Sequence, residues 1–290
     1  MPELPEVETV RRGLADVIVG HTITKVTHDW PKSFPNAPAQ VTQFLLGATI
    51  VAISRRAKVL LIELNTNYSL VIHLKMTGQL VFRGQDGQKF GAGHPSESLV
   101  GKLPDKTTRV ILELSSGTLF FNDQRKFGWM KLVPTPEVSH IDFMRKVGPE
   151  PLEPAFTLEV FNARLDKRPN SSIKAVLLDQ TIIAGMGNIY TDESLFAAKI
   201  HPTMRVKDLS KLQRQALYRE MLAVLLLSIE KGGSSDRNYV NAEGKKGSYL
   251  TFAQVYKRKG LPCLRCGTPI ERIVVAGRGT HVCPYCQVAP

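Results

Sequence analysis

The sequence predicts an α+β protein: one short helix leads into a β-rich N-terminal half, and a helical C-terminal half ends in a small metal-bound hairpin. Three observations carry this expectation. Between about 21 and 133, apolar residues recur in short runs rich in Val, Ile, Thr and Phe; between about 156 and 230 they recur at helical spacing; and all four cysteines stand near the end as two C-x2-C pairs. A length of 290 residues suits two domains. With 43% hydrophobic and 22% charged residues the chain can bury ordinary cores, which excludes general disorder.

In chain order, residues 4–15 place Leu4, Val7, Val10 and Leu14 on one helical face, with Pro5 in the first turn and Gly13 and Gly20 near the end. Strand-like runs follow at Thr22–Val26, Thr49–Ser54, Val59–Leu64, Ser69–His73, Gln79–Phe82, Arg109–Leu114, Thr118–Phe121 and Trp129–Val133. Many short strands with Gly, Asn and Ser turns suggest a β-sandwich or a barrel. Arg83 to Lys106 is rich in Gly and Pro without periodicity and reads as a long, mobile loop. Five prolines in 134–155 mark a linker after a first domain of 1–133. Helices are expected at Leu158–Leu165, Ile173–Asp179, Ile189–Ala198 and Leu209–Ile229, in a domain of 156–230. Residues 231–255, rich in Gly, Ser and charge, form a loop, and 256–290 a cysteine-bearing hairpin.

The formal net charge is +12. From Lys231 onward ten basic residues face three acidic ones, so +7 lies in the last sixty positions. This excess points to a polyanion, nucleic acid ahead of a membrane surface. The longest strongly apolar stretch, Met221 to Ile229, is about half of what a membrane-spanning helix needs. Glu3, Glu6, Glu8, Arg11 and Arg12 interrupt the opening residues, where a secretory signal needs an apolar run. The chain is expected to be intracellular.

Cys263-x2-Cys266 and Cys283-x2-Cys286 enclose sixteen residues, in which two β-rich runs flank Gly277-Arg278-Gly279. Two knuckles joined by a hairpin is a zinc spacing; two disulfides would need an oxidising compartment. Four cysteine ligands leave no open coordination position, so a zinc ion here is structural, holding a basic hairpin with Arg278 at its tip.

Fewer segments could do chemistry. A Met-Pro start favours removal of Met1, exposing Pro2 as a secondary amine beside Glu3; an N-terminal amine titrates near about 7.7 to 8.0, so a useful fraction is nucleophilic at neutral pH. Arg55-Arg-Ala-Lys58 precedes a strand, and Asn122-Asp-Gln-Arg-Lys-Phe-Gly128 joins polar and aromatic groups in a turn. Gly185-Met-Gly-Asn-Ile-Tyr190 opens a helix; it lacks the third Gly and preceding strand of a dinucleotide fingerprint but can hold a phosphate.

Taken together, Met1-Pro-Glu-Leu-Pro-Glu-Val-Glu-Thr9, Arg55–Lys58, His73-Leu-Lys-Met-Thr-Gly78, Asp123–Gly128, Gly185–Tyr190 and the four-cysteine ribbon resemble, in kind and order, the motifs of bacterial formamidopyrimidine-DNA glycosylases. The resemblance implies a two-layer β-sandwich behind an N-terminal helix, a helix-two-turn-helix domain, a zinc hairpin, and duplex DNA bound by a monomer in a cleft between the domains. It implies a base excision repair enzyme, cytoplasmic and nucleoid-associated, that removes oxidised purines such as 8-oxoguanine and formamidopyrimidines, then cuts the abasic strand by β,δ-elimination. On this resemblance Pro2 is the nucleophile, Glu3 the general acid/base, Lys58 the proton donor in β-elimination and Arg278 the donor linked to δ-elimination. Met76, Arg125 and Phe127 fill the gap left by the extruded base, whereas His73, Lys174, Asn188 and Arg278 contact phosphates. Residues 231–255 include the loop covering the lesion. Thr107 and Asn170 stand where members often have basic residues or His, and Lys257 replaces a usual Gly. The alternatives are an endonuclease VIII-like enzyme for oxidised pyrimidines and a non-catalytic zinc-ribbon DNA-binding protein; Leu4 and the complete Met76/Arg125/Phe127 set favour the purine enzyme.

Overall fold

A computed structural model describes residues 2–94, 96–233 and 249–290. Most of the covering loop expected at 231–255, residues 234–248, lies outside the described residues, as does Met1. The chain divides into two compact units, Met1–Arg145 with the segment returning at Lys231, and Lys146–Glu230 with Tyr249–Pro290.

The first unit opens with α1 (Leu4–Ile18). Nine strands follow: β1 (Ile23–His28), β2 (Ile50–Arg56), β3 (Val59–Leu64), β4 (Tyr68–His73), β5 (Gly78–Gly84), β6 (Lys89–Gly93), β7 (Thr108–Leu114), β8 (Gly117–Asp123) and β9 (Trp129–Pro134). The single turn α2 (Pro38–Gln40) lies between β1 and β2, and α3 (Asp142–Lys146) follows β9. The strands make two antiparallel sheets, ordered β1-β7-β8-β5-β6 and β2-β3-β4-β9. Their inner faces share one core: Leu80, Phe82, Leu112 and Phe121 from the first sheet cluster with Leu60, Ile62, Leu70, Ile72 and Met130 from the second. This resolves the sandwich-or-barrel choice as a two-layer sandwich. The apolar face of α1 (Val7, Val10, Leu14, Val17, Ile18) joins the same core.

One expectation needs correcting. Arg83 to Lys106 is not a loop throughout, because Lys89–Gly93 pairs with β5 in register from Arg83↔Lys89 to Gln79↔Gly93. Beyond it, Leu99 packs with Val81 and Phe120 on the outer face of the five-stranded sheet. The strand is hard to read because Gly91 and Gly93 replace side chains where backbones approach closely; a Cβ on Gly93 would stand 2.4 Å from the Gly78 carbonyl. The same crowding explains Gly13, where a Cβ would reach 2.0 Å from the Phe90 ring of β6.

A charge cluster around the buried Glu8 fixes α1 to the second sheet. Glu8 accepts from Arg11 and Arg12 on its own helix and from Arg55 of β2 (Nε–Oε2 3.2 Å). Burial alone would raise the Glu8 carboxyl, but hydrogen bonds from Arg11 and Arg12 and the charges of Arg11 and Arg55 outweigh it and hold it at about 2. Its native value lies below the unfolded one of about 4.3, so its contribution is complete above that pH and is lost as pH falls toward 2. Glu8→Gln should therefore lose about 2 kcal/mol at neutral pH, the worth of a hydrogen bond to a charged group. The difference in denaturant midpoints between variant and wild type should close on acidification from about pH 5 to about pH 2; a difference independent of pH would contradict the assignment.

The second unit contains α4 (Leu158–Leu165), α5 (Ile173–Leu178), α6 (Asn188–Ala197), α7 (Lys211–Glu230), α8 (Tyr249–Phe252) and the hairpin β10 (Glu271–Val275) and β11 (Arg278–Val282). Thr157 and Ser172 cap α4 and α5 through their hydroxyls, as the sequence chemistry requires. Phe161, Ile173, Leu177, Tyr190, Leu217, Met221 and Leu225 form its core. Glu193 of α6, 2% exposed, accepts the backbone N–H groups of Gln254, Val255 and Tyr256 at 2.8, 3.0 and 2.8 Å, anchoring the chain where it re-enters this unit. Among the described residues no helix is long and apolar enough to cross a membrane.

Candidate nucleic-acid site and metal centre

In the first unit the expected chemical groups stand at the start of α1, in the β2–β3 turn, at the end of β4 and on the loops that follow β4 and β8. Pro2 is buried, and Glu3, 4% exposed, stands at the N-cap of α1 with its N–H donating to the Glu6 carboxylate at 2.8 Å. Gly233, with φ +82, brings the returning chain against Glu6, where a Cβ would lie 3.0 Å from Oε1. Lys58, 6% exposed, sits in the tight turn from β2 to β3. That turn needs Ala57 in the left-handed region (φ +53), and Arg55 steadies it by donating to the Ala57 carbonyl at 2.8 Å.

His73 ends β4 beside this turn, paired across the ladder with Val59. It is 8% exposed, with Trp129 and Phe143 against its ring. Burial, with the charges of Lys75 and Lys58, lowers its pKa to about 3. His73 is therefore neutral at physiological pH. Its Nδ1 accepts from the Lys75 N–H at 3.0 Å, which leaves the proton on Nε2. A phosphate would meet a fixed hydrogen-bond donor there, not an imidazolium.

Met76, Arg125 and Phe127 stand on two neighbouring loops. The first joins β4 to β5 and the second joins β8 to β9, so each crosses from one sheet to the other. The ladder pairs His73↔Trp129 and Gly78↔Asp123 hold the loop ends side by side. Met76 is 37% and Phe127 53% exposed, and the Arg125 guanidinium lies 4.8 Å from the Phe127 ring centre. Beneath them Asp123, wholly buried, accepts from Thr77, Arg125 and Gly128. Neither Asp123 nor Thr77 stands out in the sequence, although both fall inside the quoted motifs. Thr107, one of the departures, contributes its backbone carbonyl to the Asp123 N–H at 2.7 Å.

Lys174, Asn188 and Arg278 come together in the second unit. Arg278 is exposed as the first residue of β11, next to the Ala276–Gly277 turn where both φ angles are positive. Asn188, at the start of α6, donates Nδ2 to the Gly279 carbonyl at 3.0 Å, and Lys174 Nζ reaches the same oxygen at 3.5 Å. Lys174 is fully buried and ion-paired to Asp192 at 2.6 Å, while Asp192 also accepts the His281 N–H at 2.8 Å. In this arrangement Lys174 and Asn188 hold the hairpin that carries Arg278. Asp192 is a further member that sequence reasoning missed; a carboxylate within a helix gives no signal until the partner is known. Lys257 adopts φ +59, which explains a preference for Gly at that position.

The four cysteine sulfurs lie within 4.8 Å of one another, with Cys266–Cys283 at 3.5 Å and Cys263–Cys286 at 4.0 Å. Tetrahedral ligands at about 2.3 Å from zinc stand about 3.8 Å apart. The backbone N–H groups of Arg265 and Cys286 point at the Cys263 and Cys283 sulfurs, both at 3.4 Å, as expected for thiolate acceptors. Without a cation the thiols resist common ionisation: hydrogen bonding to Thr268 lowers Cys266 to about 6, whereas burial and the neighbouring sulfurs push Cys286 up to about 12. A divalent ion relieves that conflict, so the set fits one structural Zn2+ and leaves no position for substrate. The ribbon packs through Cys263, Cys283, Val255 and Ile270 onto Phe196 of α6.

Comparison with known proteins agrees with this layout along its whole length. Residues 1–130 match the formamidopyrimidine-DNA glycosylase N-terminal domain, 147–239 the H2TH domain of that enzyme, and 260–288 the zinc finger found in FPG and IleRS. The chain is 43% identical over 291 residues to the formamidopyrimidine-DNA glycosylase of Streptococcus pyogenes serotype M18, covering 99% of this chain and 98% of the relative. It is 40% identical over 290 residues to that of Latilactobacillus sakei, covering 99% and 98%. A point mutant of Lactococcus lactis FPG, solved with DNA containing Fapy-dG, superposes with a TM-score of 0.87 at 37% identity, over 99% of this chain and 100% of that one. The MutM (FPG) protein of Thermus thermophilus gives 0.83 at 40% identity, over 99% and 98%. With family matches over most of the chain and a relative 43% identical end to end, the protein belongs to the formamidopyrimidine-DNA glycosylase family.

Proposed function

We propose that this protein is a bifunctional DNA glycosylase and abasic-site lyase of base excision repair, acting in the cytoplasm as a monomer on oxidised purines in nucleoid DNA. The observation that carries the reading is a buried Pro2–Glu3 start in a chain whose relative was solved with a Fapy-dG duplex. Once Met1 is removed, the Pro2 nitrogen attacks the anomeric carbon and the base departs, taking a proton delivered through Glu3. The attached nitrogen loses its proton, the C1′–O4′ bond of the sugar breaks as O4′ is protonated, and the ring-opened product is an iminium whose nitrogen carries no proton and stays cationic. That charge acidifies the adjacent sugar carbon; loss of its proton expels the 3′ phosphate, and Lys58 handles proton transfer in this β-elimination. A second elimination, assisted by Arg278, releases the 5′ phosphate.

The extruded base leaves a gap in the duplex that costs a few kcal/mol. Met76 and Phe127 replace the lost stacking, and Arg125 hydrogen-bonds the orphaned cytosine. Neutral His73 donates Nε2–H to a phosphate, Asn188 and Arg278 add further donors, and Lys174 supports the phosphate-binding hairpin. Zinc supplies no step; it holds the β10–β11 hairpin.

Borohydride reduction in the presence of an 8-oxoguanine duplex tests the reading. A covalent protein–DNA adduct should form on 8-oxoguanine or formamidopyrimidine DNA. Trapping confined to oxidised-pyrimidine DNA would transfer the assignment to the endonuclease VIII-like alternative, and no adduct with any lesion would leave the zinc-ribbon binding protein.

A further inference from the structure

We infer that Asp123 and Thr77 are positioning residues that lock the two sheet-crossing loops into one insert, so that Met76, Arg125 and Phe127 enter a duplex together. The inference rests on the reading of those three side chains as gap-filling groups.

The geometry is a complete clamp. Asp123 is 0% exposed, and its Oδ1 accepts both the Thr77 hydroxyl and the Arg125 N–H (3.1 Å), while Oδ2 accepts the Gly128 N–H at 2.6 Å. Thr77 in turn accepts the Arg125 N–H at 3.0 Å. One carboxylate thus spans both ends of the second loop and the end of the first, next to Met76. Its own backbone is held too: the Asp123 carbonyl accepts from Arg109 Nε at 3.0 Å, and Arg109, 5% exposed, is fixed in turn by Asp29 and the Lys106 carbonyl.

The loops need such a restraint. Lys75, just before Met76, and Lys126, between Arg125 and Phe127, both adopt left-handed backbone (φ +51 and +58). Non-glycine residues persist there only where the surroundings over-determine them. Gly128 has no alternative either, since a Cβ would meet the Phe121 ring at 2.6 Å and Asp123 Oδ2 at 3.1 Å. The exposed side chains are thus presented on backbone whose conformation depends on a buried carboxylate. Asparagine cannot replace it: an amide offers one acceptor oxygen, and its NH2 would face either the Gly128 N–H or the Thr77 and Arg125 donors.

The test compares Thr77→Val, Thr77→Ser and Asp123→Asn with Arg125→Ala. Single-turnover excision is measured on lesion duplexes with cytosine or adenine opposite, alongside borohydride trapping on a single-stranded abasic oligonucleotide, which has no opposite base. Thr77→Val should lose about fivefold to tenfold in excision opposite cytosine, the scale of one or two net hydrogen bonds, and should compress the cytosine-over-adenine preference. Single-strand trapping should stay within about twofold, and Thr77→Ser, which keeps the hydroxyl, should restore the preference, as expected for a group acting through hydrogen bonding alone. Asp123→Asn should exceed Thr77→Val; if it fails to fold, the threonine pair decides. A preference lost in Arg125→Ala but intact in Thr77→Val would overturn the clamp while leaving the gap-filling reading. A preference intact in Arg125→Ala would overturn both, and equal loss of single-strand trapping in Thr77→Val would reduce Thr77 to a merely structural role.

Discussion

Replacing Cys283 with serine, or stripping the metal with a chelator, should unfold the C-terminal ribbon and abolish tight DNA binding. Structural zinc at four thiolates contributes about 10–16 kcal/mol of apparent binding free energy, comparable to the whole stability of an ordinary domain. The ribbon has only a small apolar core of its own. Its apolar core is Val255, Ile270 and the cysteines packed on Phe196, with Arg265 stacked 4.4 Å over the same ring and Gln287 Nε2 donating to the Ile200 carbonyl at 2.9 Å. Losing the metal removes the common centre of these contacts. Gly279 then no longer accepts from Asn188, the His281 N–H leaves Asp192, and Arg278 loses its fixed position. Metal release measured with a chromogenic chelator should reach one equivalent, limited proteolysis should then cut between 256 and 290, and duplex affinity should fall by at least about tenfold, the equivalent of one charge-assisted hydrogen bond. A Cys283→Ser protein that retains one zinc and wild-type affinity would sink this account.

What could be read in the chain before its structure follows from how local each signal is. Alternation of apolar and polar residues is a property of neighbouring positions, so eight of nine sandwich strands announced themselves, and the paired cysteines announced a metal by spacing alone. β6 stayed hidden because its strand character comes from partners: Gly91 and Gly93 are required by backbones packed on them, and Phe90 by Gly13 of a distant helix. The candidate residues Pro2, Glu3, Lys58, His73, Met76, Arg125, Phe127, Lys174, Asn188 and Arg278 were each reachable from the family resemblance and order along the chain. Asp123 and Thr77 lie inside the family motifs without a legible role, and Asp192 lies outside them, because a buried carboxylate or hydroxyl has meaning only through the donors folding brings to it. The burial of Lys174 against Asp192 was equally illegible; in sequence it is a cation, and in the fold its charge is matched internally. His73 shows the same limit for proton chemistry, since its burial, with Lys75 and Lys58 nearby, is what keeps it neutral well below the ordinary imidazole range.

Blocking the Pro2 nitrogen should have the largest effect on catalysis. If Met1 is retained, or one residue is added ahead of Pro2, that nitrogen becomes an amide whose lone pair is delocalised into the carbonyl. It can neither attack the anomeric carbon nor form an iminium. Borohydride adduct and strand scission should fall by about 10³-fold or more, as when the nucleophile of a covalent enzyme is removed. Binding to a lesion duplex should change little, because Met76, Arg125, Phe127, His73 and Arg278 are untouched. Pro2→Ala makes a sharper comparison. The free amine is then primary, so a Schiff base still forms, but it is an imine that must hold a proton to act as an electron sink. Trapping should therefore survive while β-elimination slows and becomes dependent on pH, falling as pH rises and the imine loses its proton. Proline's secondary amine removes that dependence by having no proton to lose. An elimination rate in Pro2→Ala that matches wild type across about pH 6 to 9, the range that brackets an ordinary amine terminus, would show that the permanent charge is not what drives strand cleavage.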